Sequence, residues 1–192
     1  MHTPRLILNP HPTTPCPAVQ ALAVDCGWAE ADTLRLDYRL QGNLAALRIP
    51  PRTATPTAVD GLWQHTCFEA FIGALDGPGY HEFNASPSGD FAAYVFTDER
   101  QRQTTASLPA LRVDSRVDAH GLQLRLEIPS AALPVGSAWQ LGLSAVIESA
   151  TGQCSYFALA HPKPTPDFHA RAGWTARLFL TSPHDKHHAI WS

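Results

Sequence analysis

Lysine, methionine and charge are all scarce in this 192-residue chain. The two lysines are Lys163 and Lys186, the one methionine is Met1, and charged residues make up 16% of the sequence, against a typical share of about 25%. The net charge of −3 gives no electrostatic attraction to nucleic acid or to an anionic membrane surface. With 44% hydrophobic residues, the composition excludes an intrinsically disordered acidic or basic protein.

Long apolar runs are also missing. The first run, Leu6-Ile7-Leu8, ends at Asn9 and Pro10, so it is shorter than the roughly 7–15 residues of a secretory signal. No stretch approaches the roughly 18 apolar residues of a membrane-spanning helix. We therefore expect a cytoplasmic protein. In a reducing compartment its four cysteines, which show no CxxC spacing, should be free thiols: Cys16, Cys26, Cys67 and Cys154.

Apolar residues alternate with polar ones along much of the chain. Residues 34–40 and 122–128 carry an apolar side chain at every second position, which is typical of a half-buried strand. The run 111–117 is expected to pair with 122–128, and the run 44–49 to form a hairpin with 34–40. Further strands are predicted at 62–72, 79–85, 90–97, 138–148, 154–160 and 174–180.

Helical periodicity is nearly absent. One short turn is predicted at 129–134, and no window of ten residues sustains the apolar spacing of a helix. About ten short strands separated by Pro, Gly, Asn and Asp predict an all-β fold, a single antiparallel, jelly-roll-like β-sandwich over 1–192. Residues 1–17 form a proline-rich arm that is expected to wrap the sandwich, and 182–192 form a polar, histidine-rich tail.

The stretch 62–96 holds the most informative side chains. If 62–72 is one strand, alternate residues share a face, and one face then carries Trp63, His65, Cys67, Glu69 and Phe71. On the next strand Tyr80, Glu82 and Asn84 share a face. An aromatic ring beside carboxylate and amide groups suits a sugar, since the ring stacks on the apolar face of the pyranose and the polar groups bond its hydroxyls.

A different chemistry is open to the same strand. His65, Cys67 and Glu69 are residue types that ligate zinc or another transition metal, and a cysteine beside a histidine could also act as a nucleophile at a hydrolytic site. The spacing matches no standard zinc site. The simpler interpretation is a buried thiol beside a hydrogen-bonded imidazole. In the tail, His184, His187 and His188 could bind a surface metal weakly.

Three motifs in 62–96 carry a resemblance to a known family. They are Leu-Trp-x-x-Thr-Cys-Phe-Glu-x-Phe (62–71), Tyr-x-Glu-Phe-Asn-x-Ser-Pro-Ser-Gly (80–89) and Ala-x-Tyr-x-Phe (92–96). The pattern resembles the DOMON-like domains, relatives of the family 9 carbohydrate-binding modules, and the resemblance runs from about residue 34 to residue 180. It implies a β-sandwich that binds sugar or haem and has no catalytic activity of its own.

The resemblance also implies roles for particular residues. Trp63 and Glu69 have the six-residue spacing of a tryptophan and a glutamate that touch sugar in the family 9 modules. Where those modules place an arginine two residues before an asparagine, this chain has Glu82 and Asn84, so an acid replaces the base. Trp174 matches the second aromatic of the clamp. The expected rim consists of His161, Lys163, Asp167 and His169.

Haem is the alternative ligand within this family. The haem-binding members use a methionine and a histidine, and Met1 is the one methionine here. Two histidines could ligate the iron instead, chosen from His65, His81, His161 and His169. The sequence thus predicts a non-catalytic module without a cofactor that binds a small carbohydrate or a glycosylated metabolite. Haem binding is the second hypothesis, and a metal or hydrolytic site around His65, Cys67 and Glu69 is the third.

Overall fold

Two antiparallel sheets packed face to face form the protein. A computed structural model describes residues 5–30, 32–105, 107–180 and 190–191. The strands are β1 (Arg5–Ile7), β2 (Asn9–Pro10), β3 (Val19–Glu30), β4 (Thr33–Gly42), β5 (Cys67–Ala74), β6 (Tyr80–Ala85), β7 (Phe91–Asp98), β8 (Gln101–Gln103), β9 (Arg112–Asp118), β10 (Gly121–Pro129), β11 (Ala138–Glu148), β12 (Cys154–Ala158), β13 (Ala176–Phe179) and β14 (Ile190–Trp191). The predicted all-β sandwich is confirmed.

The two sheets differ in size. The first has the order β1-β3-β4-β10-β9. The second has the order β14-β13-β11-β5-β6-β7-β8, and β12 pairs with the part of β11 that β13 leaves free. Among the described residues the helical segments are four 3-10 turns, Leu44–Ala46, Leu62–Gln64, Ser130–Ala132 and Arg171–Gly173, none of which is long and apolar enough to span a membrane.

The main hydrophobic core lies between the sheets and follows the strand periodicity. Leu34, Leu36 and Leu40 of β4 point inward with Tyr38, and Phe68, Ala70 and Ile72 of β5 meet them from the other sheet. The Tyr38 hydroxyl donates a hydrogen bond of 2.8 Å to the backbone oxygen of Glu69. Because inward and outward residues alternate, Cys67, Glu69 and Phe71 of β5 face away from this core.

Several local predictions require correction. The long strand β3 was not predicted, and it pairs with β4 in place of residues 44–49, which contain the 3-10 turn Leu44–Ala46. The predicted strand 62–72 begins only at Cys67, because Gly61 adopts a left-handed conformation (φ 80°) and starts the turn Leu62–Gln64. The pairing of 111–117 with 122–128 and the turn within 129–134 are confirmed.

The N-terminal arm contributes a strand to each sheet, β1 to the first and β2 to the second. Asn9 and Pro10 pair with β12, and the buried His11 donates its backbone N–H to the carbonyl oxygen of Tyr156 at 2.7 Å. The arm is therefore part of the sandwich from Arg5 onward. At the other end, β14 pairs with β13. The tail histidines His184, His187 and His188 lie outside the described residues.

Candidate functional site

A pocket of about 400 Å³ opens on the outer face of the second sheet, on the side away from the inter-sheet core. This volume lies within the range of about 300–1,000 Å³ found for small-ligand sites. Strands β5, β6 and β7 supply its floor, and two loops and the turn at Trp63 supply its walls. It is lined by Trp63, Glu69, Phe71, Glu82, Tyr94, Phe96, Arg100, Arg102, Val146, Tyr156, Pro166, Asp167, Phe168 and His169.

The floor is ordered by strand register. Glu69 of β5 lies opposite Ser144 of β11 on one side and Asn84 of β6 on the other. Glu82 lies opposite Phe71 and Tyr94 in the next row. The floor therefore consists of one polar row and one row that mixes aromatic rings with a carboxylate.

Glu69 and Glu82 are both buried at the floor, where Glu69 is 2% exposed. Burial raises the pKa of the Glu69 carboxyl well above its usual value, and the charge of Glu82 raises it further. Burial also raises the pKa of Glu82 to about 7. Their register makes them diagonal neighbours on adjacent strands, a separation of roughly 7–8 Å between Cα atoms. Two carboxylates held this way resist ionising together.

Asn84 lies in the polar row of the floor but does not line the pocket. Its side chain is fully buried, and its Nδ2 donates to Glu82 Oε1 at 2.9 Å. Through this bond Asn84 fixes the orientation of the Glu82 carboxyl. The sequence predicts Asn84 as a ligand contact, but its fully buried side chain is not among those that line the pocket.

Trp63 and Tyr94 form the aromatic edge of the pocket. The Trp63 indole is 40% exposed, and it meets the Tyr94 ring edge-on with 5.9 Å between ring centroids. Tyr94 is held by a 2.6 Å hydrogen bond from its hydroxyl to Asp60 Oδ1, and the guanidinium of Arg102 lies 4.0 Å above its ring. The exposed Trp63 indole, packed against the hydrogen-bonded Tyr94 ring, offers a surface on which a ligand can stack.

Trp174 lies beside the floor, packed with Phe71 on the outer face of the second sheet, although the resemblance placed it in the clamp. It is 2% exposed, its ring stacks on Phe71 at 5.9 Å, and its Nε1 donates to the carbonyl oxygen of Phe168 at 2.8 Å. The indole covers Gly142, where any side chain would collide with it. A ring buried in this way cannot stack on a ligand. Trp174 instead supports Phe71 of the floor and the loop that carries Phe168.

The loop that contains Phe168 closes one wall. The Arg100 backbone N–H donates to the Tyr80 hydroxyl at 3.0 Å, and this hydroxyl lies 2.6 Å from His169 Nδ1. Burial lowers the pKa of His169 to about 4, so the ring is neutral at pH 7. Its Nδ1 accepts a hydrogen bond from the Tyr80 hydroxyl. Asp167 pairs with Arg100 at 2.7 Å and with Lys163 at 2.7 Å. The wall is fixed by these bonds.

The predicted rim residues separate into two groups. Asp167 and His169 line the pocket. Lys163 does not, since its ammonium binds Asp167 and Glu99 outside the opening. His161 also lies outside, where its Nε2 contacts the carbonyl oxygen of Asn9 at 2.9 Å.

The structure does not assemble the proposed metal or hydrolytic site. His65 Nδ1 pairs with Glu148 Oε2 at 2.8 Å, whereas Cys67 is fully buried and burial raises the pKa of its thiol well above the usual value. A thiol with a raised pKa is a poor nucleophile. The part of the chain that the structure describes contains no group of three or more His, Cys, Asp or Glu side chains placed for one metal ion.

The four candidate haem ligands lie apart. His169 lines the pocket, whereas the side chains of His65, His81 and His161 do not. His81 Nδ1 bonds the carbonyl oxygen of Ala132 at 2.7 Å, and His65 and His161 hold the partners given above. No second histidine among the lining residues faces His169, so the geometry offers no support for bis-histidine ligation.

Arg100, Arg102, Tyr156 and Phe168 line the pocket but were not predicted as site residues. The sequence suggests that Asp98 and Glu99 offset the two arginines. The structure instead pairs Arg100 with Asp167 and Arg102 with Asp60. Alternation along 91–96 could have suggested that the following residues continue the pocket wall. No local signal identifies Phe168, because its loop is irregular.

Replacing Glu82 by glutamine tests the electrostatics of the floor. Because its pKa rises from 4.5 to about 7 on folding, Glu82 contributes stability at acidic pH that is lost as the pH rises through about 7. Glutamine resembles the protonated acid, so Glu82→Gln should exceed the wild type's free energy of unfolding by much more at pH 8 than at pH 5. The gain should be of the order of a few kcal/mol.

Urea denaturation of both proteins at pH 5 and pH 8 measures this difference. His169 contributes in the opposite sense, because its lowered pKa removes stability as the pH falls from 6.5 to about 4. Both proteins retain His169, so its contribution cancels in the comparison. An equal stability gap at the two pH values would show that Glu82 titrates normally.

Solved structures of carbohydrate-binding proteins share this fold. A candidate carbohydrate-binding protein from Bacteroides uniformis is 14% identical, with a TM-score of 0.61 over 88% of this chain and 84% of its own. A family 9 carbohydrate-binding module from Caldicellulosiruptor kristjanssonii, solved with cellotriose, is 6% identical, with a TM-score of 0.52 over 82% of this chain and 72% of its own. These likenesses show a shared β-sandwich architecture. No family model and no curated protein matches the sequence.

Proposed function

We propose that this chain is a non-catalytic module that binds a small carbohydrate or a glycosylated metabolite in the pocket on the outer face of the second sheet. Trp63 would stack on the apolar face of the sugar ring. Glu69 and Glu82 would accept hydrogen bonds from its hydroxyls. Asp167 and His169 would contact it from the loop wall.

One observation carries this proposal: the exposed Trp63 indole lies at the edge of a pocket whose floor contains the buried carboxyl groups of Glu69 and Glu82. A sugar presents an apolar ring face that can stack on an indole and hydroxyls that can bond to oxygen acceptors. In this pocket the acceptors are at the floor and the exposed ring is at the edge. The arrangement would bind one or two sugar rings end-on.

The fold supports the proposal in a more general way. The solved neighbours are carbohydrate-binding proteins, one of them a family 9 module bound to cellotriose, and they share the architecture without close sequence identity. We also propose the kinship with DOMON-like domains that the motifs in 62–96 suggest. The cytoplasmic location stays a prediction from the sequence.

A saccharide array followed by titration calorimetry tests this function. We expect the wild-type protein to bind at least one mono- or disaccharide, and Trp63→Ala to raise the Kd at least about tenfold through loss of the stacking surface. Leu75→Ala is a matched control, since Leu75 is similarly exposed (45%) and does not line the pocket. It should bind as the wild type does.

Two outcomes would contradict this proposal. Binding that survives Trp63→Ala unchanged would place the ligand elsewhere. An array with no bound saccharide would remove carbohydrate as the ligand class. A bound sugar that is recovered chemically intact after prolonged incubation with the protein is expected of a non-catalytic module, and its turnover would show an enzyme instead.

A further inference from the structure

We propose that the pocket selects sugars that carry a protonated primary amine, with the ammonium group bound at the floor between Glu69 and Glu82. This inference rests on the proposed function and names the substrate class within it. It follows from three features: the floor holds unpartnered oxygens, no lysine or arginine among the described residues forms an ion pair with either floor carboxyl, and aromatic rings surround the site.

Three polar oxygens at the floor lack hydrogen-bond partners. Glu69 Oε1 is buried without a hydrogen-bond partner, and so are the oxygens that flank it in the register, Ser144 Oγ and Asn84 Oδ1. Of these three residues, Glu69 lines the pocket. A buried acceptor without a partner costs about 1–3 kcal/mol. An ammonium group offers three N–H donors and no acceptor, which matches this set better than a hydroxyl does.

The two arginines that line the pocket, and the lysine beside it, are already paired with carboxylates. Arg100 binds Asp167 at 2.7 Å, Arg102 binds Asp60 at 3.4 Å, and Lys163 binds Glu99 at 3.2 Å. In the described part of the chain, neither Glu69 nor Glu82 forms an ion pair with a lysine or an arginine.

His169 does not supply the missing charge. Its Nε2 lies 3.8 Å from Glu82 Oε2, but the low pKa of the ring keeps it neutral at pH 7. The charges of Arg102 and Arg100 lower the pKa of Glu82, but among the described residues each of these arginines pairs with an aspartate and not with a floor carboxyl. Burial raises the pKa of both carboxyls, which favours a protonated floor.

The walls also favour a cation. The rings of Phe71, Tyr94, Tyr156 and Phe168 line the same pocket. The faces of aromatic rings attract cations, and the attraction grows when water is excluded. A protonated amine that replaces the proton at the floor would thus be stabilised by charge from below and by the rings from the sides.

Calorimetric titration with matched sugars tests the inference. The probes are glucosamine, glucose and N-acetylglucosamine, and the corresponding galactose and mannose sets, all at pH 7. The wild-type protein should bind the amine of at least one set at least tenfold more tightly than its neutral and N-acetylated partners. Glu82→Gln should remove most of this preference. Glu99→Gln, which alters an exposed rim carboxylate paired with Lys163, should keep it.

Comparing the Kd of amino, neutral and N-acetylated sugars for the wild-type protein tests the inference even if a variant does not fold. Equal or weaker binding of the amine in every set would overturn this inference, and so would a preference that persists in Glu82→Gln. If neutral sugars bind in those cases, the proposed function stands without amine selectivity. If no sugar binds at all, both are wrong.

Discussion

Replacing Trp174 by alanine should lower the free energy of unfolding by about 3–5 kcal/mol, the range for truncating a buried aromatic side chain. The indole packs between Phe71 and Tyr80 and donates its N–H to Phe168, so its removal leaves a large cavity and an unpartnered carbonyl. It also removes the support of the loop that carries Phe168. We therefore expect sugar binding to weaken together with stability.

Equilibrium urea denaturation measures this loss of stability. Trp174→Phe is the matched control, because it retains a stacked ring while losing the N–H donor and part of the volume. It should cost clearly less than Trp174→Ala. A loss below about 1 kcal/mol for the alanine variant would mean that the ring is not packed as described, and that it remains available to contact a ligand.

Replacing Glu69 by glutamine should weaken sugar binding roughly 10- to 100-fold and leave the protein as stable as before or slightly more stable. The amide places N–H donors where one carboxyl oxygen can accept a bond, and a ligand hydroxyl that loses its acceptor in a buried site costs about 1–3 kcal/mol. In the ligand-free protein the new amide N–H groups can donate to Ser144 Oγ or Asn84 Oδ1, which lack partners. Opposite effects on binding and stability indicate a residue held for function.

Calorimetry with the best ligand from the array, together with urea denaturation, measures both effects. Glu127→Gln serves as the control, since Glu127 lies on β10 in the other sheet and should change neither. Unaltered binding in Glu69→Gln would remove the floor carboxylate from the site. A large loss of stability would show that Glu69 is a structural residue.

The faces of the strands could be predicted from the sequence because they depend only on period two. Leu34, Leu36, Tyr38 and Leu40 alternate with polar residues, and they point into the core as expected. In the same way, the shared outer face of Glu69 and Phe71 follows from their spacing. These predictions need no knowledge of how distant parts of the chain meet.

The strand β3 shows how this signal can be lost. Its inward residues Leu22, Val24 and Cys26 do alternate, but the residues between them include Ala21, Ala23 and Gly27, which are not polar. The contrast between faces is therefore weak, although β3 is the longest strand. Pairing with β4 on one side and β1 on the other holds it in place.

The two tryptophans of the expected clamp show the limit of local reasoning. The sequence predicts Trp63 on a strand, but Gly61 starts a 3-10 turn that contains Trp63, and this turn places the indole at the pocket edge. Trp174 was expected at the opening, but Gly142 leaves a flat surface on β11 that the indole covers. A missing side chain on one strand thus determines the position of a ring more than 30 residues away, which no local pattern reveals.

Mapping the bound ligand tests the central claim most directly. In heteronuclear NMR spectra, titration with the best saccharide from the array should shift the Trp63 indole N–H and the backbone amides around Glu69, Glu82 and Phe168. The outer face of the five-stranded sheet, which includes Asp37 and Arg125, should stay unchanged. Shifts confined to that face, with the Trp63 indole unaffected, would contradict the account.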